Sequence, residues 1–167
     1  MTVGKKGTLD DLSLMILGKI SLSWIQECLN PANKDEKVGD LLEKFQKNNN
    51  NASIGNQSII LMAAYLFFVY PKEKDFKIGD YSFVDASKFN VSSWGKKRGK
   101  YHLCRRIRNA LAHSSVHIDE NGQMTFEDTN PYDETDVFKC TISVGDFGTF
   151  IEKFMNKSKD RFFENRV

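Results

Sequence analysis

Arg108-Asn109-Ala110-Leu111-Ala112-His113 brings a permanently charged guanidinium, a carboxamide and an imidazole together near the end of a basic segment. Those groups suffice to cut a ribose-phosphate backbone without a metal. An imidazole titrates near neutrality and can move a proton to or from a substrate oxygen. A fixed cation can hold the charge that develops on the non-bridging oxygens, bidentately in the case of arginine. Such a reaction takes the 2′-OH proton, protonates the 5′-oxygen and leaves a 2′,3′-cyclic phosphate. DNA has no 2′-OH and is spared. His113 is the candidate proton carrier, Arg108 the candidate phosphate clamp, and Asn109 stands beside them.

The charge distribution fits an anionic partner. The net charge is only +2, yet residues 86–118 contain no acid and eight cations: Lys88, Lys96, Lys97, Arg98, Lys100, Arg105, Arg106 and Arg108. Residues 119–138 invert the pattern, with seven acids and no Lys or Arg. A positive surface of this kind steers a nucleic-acid backbone, so Lys96, Lys97, Arg98, Lys100, Arg105 and Arg106 are candidate RNA contacts. Tyr101 or Trp94 could stack on a base. The plainer alternative is that the two blocks neutralise each other in the fold, with Arg108 on Glu127 or Asp128. His113, likewise, could sit at a helix C-terminus for the sake of the dipole alone.

With 167 residues, 40% of them hydrophobic, and 13 Phe, the chain reads as one domain, 1–167, with a real core. Three cysteines without ligand spacing read as free thiols, Cys104 on an apolar helix side, which suits a reducing cytoplasm. The three histidines are scattered, and neither a Walker loop nor a GxGxxG occurs, so no metal and no cofactor is expected. The longest apolar run, Ile59–Tyr70, falls short of the roughly 20 residues that span a bilayer. A cytoplasmic protein with no membrane partner is expected.

Periodicity predicts about five helices. The first covers Leu9–Leu29, capped by Thr8 or Asp10 and followed by Pro31. Val38–Phe45 gives the second, and the asparagine run 48–51 an exposed turn. Ser58–Tyr70, apolar nearly all round, is the buried third, stopped by Pro71, and Lys72–Asn90 is a polar connection. The motif helix is expected over about 92–114, capped by Ser92 or Ser93. Val116 and Ile118, the Asp119-Glu120-Asn121-Gly122 turn, and Met124 and Phe126 read as a β-hairpin. Val137–Ile142 adds a third strand, so the β appendage covers about 115–142. Ser143-x-x-Asp146 is a capping box in its weaker form, opening a last helix over about 144–158.

On the motif helix, His102, Arg106, Asn109 and His113 fall within about 60° of one another, whereas Arg108 lies about 140° from His113. One straight helix therefore cannot make Arg108 and His113 neighbours. Either the helix unwinds before His113, or two copies pack so that one copy's arginine meets the other's histidine. The second is favoured, because residues astride an apolar stripe are those a two-fold helix contact would bury.

Arg108-Asn109-x-x-x-His113 late in a helix resembles the Arg-polar-x3-His signature of the HEPN superfamily (higher eukaryotes and prokaryotes nucleotide-binding domain). The Ser115–Phe126 hairpin, Asp128-Thr129-Asn130 and the last amphipathic helix look like a bacterial, often plasmid-borne branch of it. The match covers about Ser92 to Phe154. The resemblance implies a mainly α, HEPN-like helical bundle with a small β appendage after the motif helix, dimerised through that helix. It implies a metal-independent endoribonuclease acting as a toxin or in phage defence, with Arg108 and His113 catalytic and Asn109 orienting them. RNA, a homodimer partner and an antitoxin or other regulatory protein are the implied partners. The alternative it allows is a non-catalytic module that binds RNA, a nucleotide or a protein.

Overall fold

The computed structural model describes residues 11–70 and 80–164. The chain divides into two compact units, one within Asp10–Met62 and the other within Ala63–Val167.

In the first unit, α1 (Asp11–Leu29) ends where Asn30 and Pro31 open a short 3-10 turn, with Ala32 N donating to Asn30 Oδ1 at 3.0 Å. A proline at that position cannot continue α1 but suits the first turn of a new helix. The second helix, α2 (Val38–Asn48), buries Leu41 and Phe45, one turn apart, and Phe45 packs on Trp24 with ring centroids 5.4 Å apart. The asparagine run closes it: Asn50 and Asn51 adopt φ of 53° and 58°, the left-handed region that asparagine tolerates. The third helix, α3 (Gln57–Ala64), is tied to α1 by Ser58 Oγ donating to Leu14 O at 2.6 Å.

The second unit carries the motif. Here α3 passes into a single π turn, Tyr65–Val69, which buries Phe68 and Val69. Then come β1 (Asn90–Trp94), α4 (Lys100–Ala112), β2 (Val116–Ile118), β3 (Gln123–Asn130), β4 (Asp133–Ser143) and α5 (Val144–Glu164). The four strands form one antiparallel sheet in the order β1-β4-β3-β2. Alternation sends Met124, Phe126 and Asp128 of β3, and Phe138, Cys140 and Ile142 of β4, to the buried face. Against that face α4 sets Leu103, Cys104, Ile107 and Ala110, and α5 sets Phe147, Ile151 and Phe154. The α5 start is capped as the sequence predicts: Asp146 N donates to Ser143 Oγ at 3.0 Å, and that hydroxyl donates to Asp146 Oδ2.

The mainly helical class is thus present, with five α-helices among the described residues and a small sheet largely after the motif helix. The start of the motif helix is corrected. Ser92 and Ser93 lie in β1, where their hydroxyls donate to Lys139 O and Val137 O instead of capping a helix. The sheet therefore gains a strand before the motif, and α4 begins at Lys100, after Gly99 at φ +110°. The last strand and last helix run longer than predicted, and α3 is part π. The Thr8 or Asp10 cap, Pro71 and residues 72–79 of the Lys72–Asn90 connection lie outside the described residues. Cys104 and Cys140 are buried free thiols, both pushed up to about 12 by burial, while Cys28 is free and exposed.

The C-terminus of α4 fixes where His113 sits. Ser114 N donates to Leu111 O at 3.2 Å and Ser115 N to Ala110 O at 2.8 Å, the two bonds of a Schellman motif. Ser114 occupies its left-handed position at φ +55°, where glycine is the favoured residue. His113 is consequently held as the exposed cap, and the chain turns at once into β2. Ser114→Gly is expected to stabilise the protein by about 0.5–1 kcal/mol, and Ser114→Val to destabilise it by about 1 kcal/mol or more. Urea unfolding of the three proteins checks both signs.

Candidate active site

Three arginines of α4 meet three different fates because each residue turns the helix by about 100°. Arg105 is exposed. Arg106 is 13% exposed and faces the sheet, donating to Asp128 Oδ2 at 2.8 Å, pairing with Asp136 Oδ1, and reaching Asp136 O at 3.2 Å. Arg108 turns the other way. Its Nη2 donates to the Tyr81 hydroxyl at 3.1 Å, and its guanidinium lies over the Phe68 ring, 5.2 Å from the centroid. Its Nε is buried without a hydrogen-bond partner, and among the described residues it pairs with no carboxylate.

His102, Arg106, Asn109 and His113 line a single cleft of about 360 Å³, as their shared helix face predicts. Lys97 and Arg105 join them from the α4 side, and the opposite wall is Asp128 to Tyr132 with Asp136. Arg108 is not among the lining residues. Asn109 Nδ2 donates to Asp128 Oδ2 at 3.2 Å, so one carboxylate holds both Arg106 and Asn109. Burial, followed by the charges of Lys97, Arg105 and Arg106, holds the His102 imidazole below its ordinary range and therefore neutral at pH 7.

The cations of the basic block divide into spent and free. Lys96 pairs with Asp133, Lys88 with Asp146 at 3.2 Å, and Lys100 Nζ donates to Ser82 O at 2.8 Å. Lys96 and Arg106, on Asp133, Asp128 and Asp136, partly meet the mutual neutralisation that the adjacent acidic block suggested. Among the described residues Lys97, Arg98 and Arg105 make no ion pair and are exposed. Arg108 takes neither Glu127 nor Asp128: the former pairs with Lys139 and the latter with Arg106. Trp94 is half-buried against Phe138, and Tyr101 packs edge-on to Tyr81 and His102 while half exposed.

Asp136 carries structural weight that sequence reasoning missed. Besides Arg106 it accepts from the Lys96 amide at 2.8 Å and from Asn130 Nδ2 at 3.3 Å. The approach is so close that a Cβ on Gly95, at φ +65°, would run into Asp136 Oδ1 and lie 3.0 Å from Arg106 Nη2. Asp128 had a signal, since alternation from Met124 and Phe126 sets it on the buried face. Asp136 and Tyr81 had none that separates them from surface residues. Among the described residues, no group of three or more His, Cys, Asp or Glu is placed to hold a metal ion. No helix there is long and apolar enough to cross a membrane.

A family model described as HEPN pEK499 p136 matches residues 8–165, nearly the whole chain. No curated protein and no solved structure matches.

Two outcomes test the Arg106 node. Arg106→Ala leaves two carboxylates facing one another and is expected to cost about 3–5 kcal/mol in chemical unfolding. The Lys96 amide, then Asn130 and Arg106, hold the Asp136 carboxyl below its ordinary range. The stability it contributes is therefore present above the unfolded-state value and lost as pH falls through the lower folded-state value. Between about pH 5 and pH 2, Asp136→Asn should show a shallower loss of stability than wild type.

Proposed function

The chain belongs to the HEPN family that it matches, and on that premise we propose that it is a metal-independent endoribonuclease. The observation that carries this reading is Arg108, a half-buried cation held by a tyrosine hydroxyl and a phenylalanine ring with no carboxylate partner among the described residues. Keeping an unpaired charge out of water costs stability, and an anion arriving from outside would recover it. A phosphate is such an anion, and arginine grips it bidentately.

In the proposed reaction His113 moves a proton at the 2′-oxygen or at the leaving 5′-oxygen, and Arg108 holds the phosphorane charge. Asn109 lies one turn before His113 on the same face, with its amide fixed by Asp128, and is the residue suited to orient the imidazole. The separation of Arg108 from the cleft that His113 lines favours a composite site in a homodimer, with one copy's Arg108 meeting the other's His113. Lys97, Arg98 and Arg105 steer the backbone, while Lys96, Lys100 and Arg106 mainly hold the fold. Unrestrained RNA cutting would harm a host, so the proposed setting is cytoplasmic, as a toxin or phage-defence effector restrained by an antitoxin or other regulatory protein.

Wild-type protein with total RNA in excess EDTA is expected to yield 2′,3′-cyclic phosphate ends and to leave single-stranded DNA intact. Arg108→Ala and His113→Ala should each lose about 10²-fold or more in kcat. The decisive arm mixes the two inactive variants. Half the dimers are then mixed and each carries one intact composite site, so about a quarter of wild-type activity should return. No return would overturn the shared site, and equal cutting by wild type and both variants would overturn the assignment of the motif.

A further inference from the structure

The cleft beside the motif is larger than proton transfer at a single phosphate requires. His102 and His113 lie about 16 Å apart along the helix axis, given its rise of about 1.5 Å per residue. One phosphate therefore cannot touch both ends. At the far end Lys97 and Arg105 hold charge that no acid among the described residues neutralises. Asp128 and Asp136, the acids in the lining, are both taken up by Arg106.

On the opposite wall stands Tyr132, 96% exposed, in the tight turn between β3 and β4. An aromatic ring so exposed adds almost nothing to the core, yet its backbone is firmly held. Tyr132 N donates to Asn130 Oδ1 at 3.1 Å, and Asn130 Nδ2 donates to Asp136 Oδ2. Lys97 follows Lys96, whose own amide donates to Asp136. A free aromatic face and two free cations thus line one cleft, and the backbone beside Tyr132 and beside Lys97 is anchored to the same carboxylate.

We infer that this end of the cleft is a nucleotide subsite for single-stranded RNA, in which Tyr132 stacks on an unpaired base and Lys97 and Arg105 take its phosphate. The inference rests on the proposed ribonuclease reading and deepens it: the bound nucleotide neighbours the one whose phosphate reaches His113. It also moves the stacking role away from Trp94 and Tyr101, which spend their rings on Phe138 and Tyr81. Base stacking needs an unstacked base, so single strands and loops are the substrate class and duplexes are poor ligands.

The test measures binding of a fluorescein-labelled single-stranded oligoribonucleotide, and of the same sequence as a duplex, to His113→Ala protein, which keeps the probe intact. Adding Tyr132→Ala should weaken single-strand binding about 5–100-fold and leave duplex binding unchanged. Tyr132→Phe should bind within about twofold of the parent, since the ring face is retained. Lys97→Ala or Arg105→Ala should each lower the salt dependence by about one counterion. Tyr132 is so exposed that the parent and its variants should melt together, which separates lost binding from lost folding. Unchanged single-strand binding by Tyr132→Ala, in a protein whose wild type cuts RNA, overturns the subsite and leaves the ribonuclease reading standing. A wild type that neither binds nor cuts RNA overturns that reading, and the subsite with it.

Discussion

The geometry of the motif region depends on the ion-paired node of Arg106 with Asp128 and Asp136. All three side chains are largely withdrawn from water, at 13%, 7% and 13% exposure. A buried charge without its partner is strongly destabilising, so the pair fixes which face of α4 meets β3 and β4. The rest follows from helical geometry. With Arg106 turned to the sheet, Asn109 and His113 come round to the same cleft and Arg108 turns away from it. Asp136 extends the constraint into both flanking loops, through the Lys96 amide on one side and Asn130 on the other. Gly95 is required there because a side chain would occupy the space of that carboxylate.

This node also explains why a basic block next to an acidic block is not simply a self-neutralising surface. The acids of β3, β4 and their turn take Arg106, Lys96 and Lys139, all of which sit on or beside the sheet. Arg105 and Lys97 are out of register with them and keep their charge. Arg108 is a third case, neither paired nor freely solvated. Sequence charge counts weigh these arginines equally; the helical repeat separates them into a structural cation, a solvated cation and a desolvated one.

Much of this was legible in the sequence, for local reasons. The grouping of His102, Arg106, Asn109 and His113 follows from the helical repeat, the β2–β3 hairpin from Asn121-Gly122, and the α5 cap from Ser143 and Asp146. What escaped depends on partners far along the chain. Ser92 and Ser93 are good N-caps in isolation, and only pairing with β4, more than forty residues on, makes them strand residues. Arg106 looked like a surface contact because its acids sit on two other strands. The alternation that buries Met124 and Phe126 also buries Asp128, and an acid at a core position was the available hint that a cation must meet it. Tyr132 could not be distinguished from an ordinary turn residue until the cleft existed.

Three departures from local rules share one neighbourhood. Serine stands at φ +55° where glycine is favoured, an arginine is desolvated without an acid, and a tyrosine is almost wholly exposed. All three belong to the motif helix, its terminus or the wall of the cleft beside it. Each costs stability or adds none, so packing alone does not account for them. A fold optimised only for itself would carry glycine at 114, an acid beside Arg108 and a polar residue at 132. The outliers fall where an external anion and an unpaired base would supply the missing partners, the pattern expected when stability is given up at a working site.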